Sequence, residues 1–189
     1  MKAILVAGAF ALAPLCAAHA QQEEPAAGGT AGAASPEMQQ AMTDALAFVQ
    51  TAAASNQWEI ESSELALDRS QNEDVQAFAQ QMIEDHGAVG ERLEARVDDR
   101  EDELVEIDTL GMDTKHAEML TRLQEASDEE FDSLYLQMQL QAHQEAVALF
   151  EGFAANGNDD DLRAFAEETL PSLQGHLEMV QQMAPAQGG

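Results

Sequence analysis

Basic residues are scarce in this sequence. Its 189 residues include 8 lysines and arginines against 36 aspartates and glutamates, which gives a formal net charge of −28. A surface of this kind repels phosphate backbones and anionic lipid headgroups, so we expect no nucleic-acid partner. The acidity has two interpretations, a surface that attracts cations or simple solvation. Solvation is the expected one, because net charge reports on solubility more than on function.

Cysteine is almost absent too, since Cys16 is the only one. It lies within residues 1–20, where a short basic start, an apolar run and a small-x-small site ending at Ala20 have the pattern of a secretory signal peptide. If cleavage follows Ala20, disulfides and thiol catalysis are excluded from the remaining chain. Lipidation of Cys16 is the alternative, although Leu15 before it is larger than the residue that usually precedes a lipidated cysteine.

The rest of the chain divides by composition. Residues 21–36 are rich in Ala, Gly, Pro and Glu without a hydrophobic period, which predicts a flexible tether. Residues 37–184 are long enough for one domain with its own core, and residues 185–189 form a tail. No segment after the signal peptide is long and apolar enough to cross a membrane, so a periplasmic location is expected.

Apolar residues recur at helical spacing, and strand-like alternation is missing. Four long helices are predicted, with starts at Ser35-Pro36 and at two capping boxes, Ser70–Glu73 and Ser127–Glu130. The spacing leaves open whether the first helix pauses near Ser55-Asn56. A fourth helix is expected after Asn156-Gly157-Asn158, and a short amphipathic piece at 115–125.

These helices predict an all-α, ferritin-like four-helix bundle. About thirty residues connect the second and third helices, far more than a tight turn needs. Such a connection can cross the length of the bundle and make those two helices parallel. His86 lies 14 residues after Asn72 and His143 lies 15 after Asp128, so the two would sit within roughly 2 Å of one level. Counting places His176 on the fourth helix off that level by roughly 7 Å.

Three histidines on apolar stripes of three helices suggest a metal site. Imidazoles with a carboxylate can bind Zn, Fe, Mn or Cu. Asp85 precedes one histidine, and the first helix offers Glu64 near its apolar stripe, with Glu59 and Glu61 beside it. The predicted metal ligands are Glu59, Glu61, Asp85, His86, His143 and His176. The competing interpretation is that each histidine is a core residue hydrogen-bonded to a carboxylate or a carbonyl.

The spacing around the histidines excludes a classical di-iron centre. That centre uses Glu-x-x-His pairs, and here the residues three before the histidines are Ile83, Leu140 and Leu173. We therefore expect a binding protein rather than an enzyme, and a redox enzyme with an unusual metal centre is the least favoured alternative. His116 has no partner pattern and is expected to be a solvated surface residue.

Several segments, taken together and in order, resemble the bacterial exported, ferritin-like family catalogued as domain of unknown function 4142. The resemblance covers about residues 44–182. It implies a helical bundle of the cell envelope without an established activity, in which Asp85, His86, His143 and His176 belong together. The segments that carry it are Glu59-Ile60-Glu61-x-x-x-Leu65-Ala66, Phe78-Ala79-x-x-Met82-x-x-Asp85-His86, Phe131-Asp132-x-x-Tyr135, His143-x-x-x-Val147-x-x-Phe150-Glu151 and Leu170-Pro171-x-Leu173-x-x-His176-Leu177.

Two functional expectations follow. The first is an exported domain that binds a transition metal (Zn, Fe or Mn) or a small ligand through core histidines and carboxylates, in envelope stress or metal handling. The second is a non-catalytic structural or interaction protein of the envelope, with hydrogen-bonded core histidines. The two differ in whether the three imidazoles converge on one point.

Overall fold

A computed structural model describes residues 34–98 and 111–184, which contain six α-helices and no strand. The predicted signal peptide, most of the tether, most of the aperiodic stretch near 98–113 and the tail lie outside these residues. The helices are α1 (Pro36–Ala41), α2 (Ala45–Arg69), α3 (Glu73–Asp98), α4 (Thr114–Glu125), α5 (Asp128–Asn156) and α6 (Asp160–Met183). The all-α prediction is confirmed.

The predicted first helix is two helices. Ser35 caps α1, where its hydroxyl accepts the Met38 amide, and Pro36 is the first helical residue. The chain turns after Ala41, and the Asp44 carboxylate caps α2 by accepting the Ala47 amide. From Ala45 onward α2 runs without interruption through Ser55 and Asn56, which settles the point that the sequence left open.

The prediction that Ser70 opens α3 is wrong. Ser70 ends α2, and its hydroxyl accepts the Asn72 amide within the turn. Asn72 is the cap, since its side-chain oxygen accepts the amides of Asp74 (2.9 Å) and Val75 (3.5 Å). Both residues favour caps because their short side chains reach nearby backbone N–H groups, and the turn geometry decides between them.

The start of α5 is where the sequence predicts it. Ser127 is its N-cap residue, and its hydroxyl donates to the Glu130 carboxylate at 2.7 Å. The two side chains of the predicted capping box therefore bond to each other, and the Ser127 hydroxyl does not accept a backbone N–H as the predicted box requires.

Contacts at both ends of α2 fix the direction of α5. Phe48, near the start of α2, stacks on Phe153, near the end of α5, with ring centroids 4.0 Å apart. At the other end Arg69 pairs with Asp128 at 2.7 Å. The two helices are therefore antiparallel. Because α3 also turns back from α2, α3 and α5 run parallel, as the predicted crossover requires.

α4 lies on the return path of that crossover. Its first turn contacts the second half of α5 through a hydrogen bond from Lys115 to Glu145. Its last turn reaches the end of α2, where the Arg69 guanidinium donates to the carbonyl oxygens of Leu123, Gln124 and Ala126. α4 therefore runs antiparallel to α5 beside α2.

A polar layer crosses the middle of the bundle between two hydrophobic clusters. One cluster includes Phe48, Val89 and Leu173, and the other includes Met82 and Val180. Each of the three histidines lies, along its own helix, between a residue of one cluster and a residue of the other. His86 lies between Met82 and Val89, His143 between Ala142 and Ala146, and His176 between Leu173 and Val180. The apolar clusters above and below shield this layer from water. No helix of the described residues is long and apolar enough to cross a membrane.

Candidate metal centre

The rings of three histidines from three helices meet in the polar layer. Their centroids are 5.7 Å apart for His86 and His143, and His176 is 5.4 Å from each of them. All three side chains are buried. The parallel arrangement of α3 and α5 thus brings His86 and His143 together as counted from the sequence. The counted offset of His176 disappears, because helix boundaries alone do not fix how far one helix slides along another.

One nitrogen of each ring is held by a protein oxygen. His86 Nδ1–H donates to the Asn56 side-chain oxygen at 3.0 Å, and His143 Nδ1–H donates to the Gln139 carbonyl, also at 3.0 Å. Amide and carbonyl oxygens only accept hydrogen bonds, so both rings carry their proton on Nδ1. This tautomer leaves a lone pair on each Nε2.

His176 is held in the opposite sense. Its Nε2–H donates to the Asp85 carboxylate at 2.8 Å, so its lone pair is on Nδ1. Asp85 lies at the edge of the bundle, where its side chain is 39 % exposed while that of His176 is 3 % exposed. The carboxylate therefore reaches inward from a partly solvated position to orient a buried imidazole.

The remaining three ring nitrogens have no hydrogen-bond partner, although they are buried: His86 Nε2, His143 Nε2 and His176 Nδ1. One ligand nitrogen from each of the three histidines lies within 4.8 Å of the others. A central ion would be at most about 2.8 Å from each nitrogen, and a shift of under about 1 Å per ring would bring it to the ~2.0–2.1 Å of a metal–imidazole bond.

The surroundings keep two of the three imidazoles, His86 and His143, uncharged. Burial lowers the pKa of His143 to about 4, and the hydrogen bond to the Gln139 carbonyl opposes this shift only in part. Burial, together with repulsion from His143 and His176, lowers the pKa of His86 well below its usual range. At neutral pH these two rings are therefore neutral, the form that binds a metal.

Glu59 is buried beside the cluster, next to one of its imidazoles. Its carboxylate lies 3.5 Å from His143 Nδ1, the nitrogen already held by the Gln139 carbonyl. Burial raises the pKa of Glu59 to about 8, and neither of its carboxylate oxygens has an aligned hydrogen-bond partner. Glu59 is thus a neutral acid at pH 7 on the outer side of one imidazole.

The other carboxylates named from the sequence lie elsewhere. Asp85 holds His176 from outside, and Glu61 accepts a hydrogen bond from Gln57, one turn earlier on the same helix face. Glu64 is exposed, so the expectation that it lies nearest the apolar stripe is wrong. Of the stripe that supported this expectation, Ile60 and Leu67 are only partly buried, and Ser63 alone is fully buried. The buried face of α2 instead runs along Trp58, Glu59, Ser62, Ser63 and Ala66.

The expectation that His116 is a solvated surface residue is also wrong. Its side chain is 8 % exposed, and its Nδ1 lies 2.9 Å from the Asp113 carboxylate, although not aligned for a hydrogen bond. The ring packs near Trp58, with centroids 6.3 Å apart. The sequence could not show this burial, because it follows from α4 folding back onto α2.

Asn56 is the residue of this layer that the sequence reasoning missed. Asn56 was considered only as a point where a helix could pause, yet it orients His86. A signal was present: Ala52, Asn56, Glu59 and Ser63 follow one another at helical spacing along the face that begins with Phe48. Polar residues continuing an apolar stripe are typical of a buried polar layer.

The family assignment follows from the sequence pattern as a whole. The pattern described as Domain of unknown function (DUF4142) matches residues 28–183. The chain belongs to this family. The description assigns no activity, and no curated protein matches the chain.

Two solved structures share the fold of this DUF4142 chain. One is titled "CopM in the Cu(II)-bound form", with a TM-score of 0.60 and 17 % identity over 74 % of this chain and 95 % of that one. The other is titled "Crystal structure of DUF305 fragment from Deinococcus radiodurans", with a TM-score of 0.59 and 17 % identity over 80 % of this chain and 97 % of that one. At such identity the likeness concerns the helical fold alone.

Proposed function

We propose that this protein binds one transition-metal ion through His86 Nε2, His143 Nε2 and His176 Nδ1. The observation that carries the proposal is a buried cluster of three imidazoles from three helices, each with an unpartnered ring nitrogen, which offers one ligand nitrogen per ring within 4.8 Å of the others. An unpaired buried polar atom costs roughly 1–3 kcal/mol. Three such costs in one place are explained if an ion completes the site.

The outer hydrogen bonds support the same proposal. Metal-binding histidines almost always donate their second ring N–H to a carboxylate or carbonyl, which fixes the tautomer and the ring orientation. Asp85, the Gln139 carbonyl and the Asn56 amide have this role here. Histidines serving only as hydrogen-bonded core residues need no common direction for their second nitrogens, which is why we favour binding over a purely structural role.

The donor set favours copper(II) and zinc over manganese. Three neutral nitrogens suit copper and zinc, whereas manganese prefers carboxylate and water oxygens, which the centre of this cluster lacks. Affinity for divalent ions at nitrogen sites generally peaks at copper. The copper(II)-bound title of one structural neighbour is consistent with this choice. Three protein ligands leave a further position for water or another small ligand.

We further propose that this binding serves metal handling in the envelope. Residues 1–20 have the pattern of an export signal, and the mature chain is expected to act in the periplasm. Glu59 and Asp85 would support the imidazoles from outside rather than contact the ion. The first helix contributes no ligand, so the predicted roles of Glu59 and Glu61 become outer or surface roles in this proposal.

Thermal unfolding with added metal tests the proposal. Zinc or copper(II) should raise the melting temperature of chelator-treated protein, because an ion that binds only the folded state stabilises it by mass action. The triple variant His86→Gln, His143→Gln, His176→Gln should lose this response and stay folded. The control is His116→Gln, a buried histidine outside the cluster, which should respond like the wild type. An equal response in the triple variant would refute the proposal.

A further inference from the structure

The cluster is buried, so an ion needs a way in. A small cavity of about 20 Å³ touches His86 and Asn56 and is lined otherwise mainly by apolar side chains, among them Val89 and Leu173. Its size suits a single water molecule, which needs about 10–15 Å³. This cavity is where free space reaches the outer edge of the polar layer.

A larger cleft opens beside that cavity. It measures about 160 Å³ and lies between α1, α2, the start of α4 and α5. Ser55, Ala146 and Leu149 line both spaces, so the two share a wall. These three side chains separate the cleft from the cavity next to His86, and this boundary is called the neck below.

The cleft carries cation-binding groups that the cluster itself does not use. Glu37, Asp113 and Glu145 line it, together with Lys115, which donates a hydrogen bond to Glu145. His116 lines it as well, 94 % buried and with an Nδ1 that has no aligned hydrogen bond. A buried imidazole beside carboxylates, within reach of the solvent, is a donor set for a transition-metal ion.

The cleft and the cavity differ in how many hydration waters an ion could keep in each of them. An ion with six waters needs on the order of 60–90 Å³ at the same ~10–15 Å³ per water, which the cleft can hold. The inner cavity accepts only one water-sized group at a time. An ion on this route must therefore exchange most of its waters for protein oxygens and nitrogens within the cleft.

We infer that the cleft around His116 is the entry site for the metal, and that Ser55, Ala146 and Leu149 form the gate to the histidine cluster. The inference rests on the proposed metal binding. Glu37, Glu145 and Asp113 attract the cation, and His116 replaces part of its water. The ion then passes the neck to His86.

The test is the rate of metal uptake, followed by quenching of the single tryptophan, Trp58, with copper(II) in stopped flow. Trp58 lies near His116, with ring centroids 6.3 Å apart, and precedes Glu59 beside the cluster, so copper(II) at either place should quench its emission. Ser55→Leu should fill the neck and slow uptake at least about tenfold, since a blocked path lowers the association rate. Dissociation should slow equally, which leaves the equilibrium affinity unchanged. Ser133→Leu, an exposed position on α5, is the matched control and should match the wild type.

A second pair of variants keeps the inference testable if Ser55→Leu does not fold. Glu37→Gln with Glu145→Gln should lower the association rate by about threefold or more at low salt and weaken its salt dependence. The control, Glu129→Gln with Glu178→Gln, removes the same charge from exposed positions elsewhere. It should change neither the association rate nor the salt dependence of that rate. His116→Gln should slow uptake while the final stoichiometry stays that of the wild type.

The outcomes separate this inference from the proposed function. If the wild type binds copper(II) but Ser55→Leu and the Glu37/Glu145 variant take it up within about twofold of the wild-type rate, the entry route is wrong while the cluster still binds. If the wild type binds no metal at equilibrium, the proposed function fails, and the route with it.

Discussion

At the scale of single residues, the site depends on which nitrogen of each imidazole is occupied. His86 and His143 donate through Nδ1, whereas His176 donates through Nε2. Each choice is set by an oxygen on a neighbouring element or on the preceding helical turn. These hydrogen bonds leave one buried nitrogen with a free lone pair on each of the three rings.

Asp85 should tune the affinity without being a ligand. Asp85→Asn keeps an oxygen that can accept from His176 Nε2–H but removes the charge that makes the imidazole a stronger donor. We expect zinc affinity to fall about 10–100-fold with one ion still bound per chain, as for other outer-sphere partners. Competition against a chromophoric chelator measures this. Glu84→Gln, the exposed neighbour, should leave the affinity unchanged, and an equal loss in both variants would contradict the role of Asp85.

Glu59 should make the stability of the metal-free protein depend on pH. Its pKa is about 8 in the folded state and near 4.5 in the unfolded chain. Between these values the folded state holds a proton that the unfolded state has lost, so this residue lowers stability as pH rises, by up to ~1.4 kcal/mol per pH unit. Glu59→Gln stays neutral and should therefore gain stability relative to the wild type from pH 5 to pH 8.

Urea unfolding at pH 5, 6.5 and 8 in chelator checks the Glu59 prediction. The histidine contribution has the opposite sign, since the lowered pKa values of His86 and His143 cost stability as pH falls below about 6.5. It is common to both proteins and cancels in the comparison. The exposed Glu64→Gln is the control and should stay parallel to the wild type. Parallel profiles for Glu59→Gln and the wild type would show that Glu59 is ionised in the fold.

The sequence predicted the histidines of this layer but not their partners. A histidine on an apolar stripe is visible from spacing alone. The partner of His86 is 30 positions away on another helix, so identifying Asn56 needs the rotation and register of α2 against α3. The same limit explains why the burial of Glu59 and the exposure of Glu64 could not be predicted from the sequence. α2 carries small and polar residues on several sides, and its buried face emerges only from packing.

At the scale of helices, close approach between α2 and α3 holds Asn56 against His86. A Cβ added at Gly90 would lie 3.0 Å from the Asn56 side-chain nitrogen, so alanine there must shift this amide by a few tenths of an ångström. Glycine at this helical position otherwise costs stability, because it loses more conformational freedom than alanine. The space it leaves keeps the His86 hydrogen bond in place.

Gly90→Ala should therefore weaken metal binding by about tenfold, in the range seen when a partner of a metal ligand is disturbed. Gly87→Ala and Gly175→Ala are matched controls on α3 and α6, since nothing lies within 4 Å of a Cβ added there. Both should stabilise the protein by about 0.5–1 kcal/mol, as expected for glycine to alanine in a helix. Chelator competition and urea unfolding give both quantities. A Gly90→Ala variant with wild-type affinity would refute this function of the glycine.

Helix existence was predictable, and helix ends were less so. The long apolar stripes of α3, α5 and α6 are visible in the sequence, and so is the amphipathic α4. The cap at Asn72 rather than Ser70, and the break at residues 42–44 before α2, depend on turn geometry that neighbouring capping residues can satisfy equally well. The burial of His116 depends on how α4 docks, which its own sequence does not contain.

At the scale of the whole molecule, the crossover is what creates the site. It makes α3 and α5 parallel, so His86 and His143 share one level. The length of the connection predicted this arrangement from the sequence. A simple up-down bundle of the same helices would place the two histidines far apart.

The net charge of −28 should make stability depend strongly on salt. Like charges repel in the compact state, and salt at 0.15 M screens them beyond about 8 Å. The melting temperature of metal-free protein at pH 7 should rise by several degrees between 0.01 and 0.15 M NaCl, since each kcal/mol added to the free energy of unfolding raises it by roughly 2–8 °C. At pH 4, where about half of the carboxylates are protonated, the rise should be smaller. Equal rises at both pH values would contradict this account.

X-ray absorption on the protein loaded with one equivalent of zinc or copper(II) tests the central claim most directly. Three imidazole nitrogens are expected at about 2.0–2.1 Å, with one or two further light atoms, and the imidazole signal should be lost in the triple glutamine variant. A shell of oxygens alone, or imidazole scattering that survives in that variant, would contradict a metal site at His86, His143 and His176.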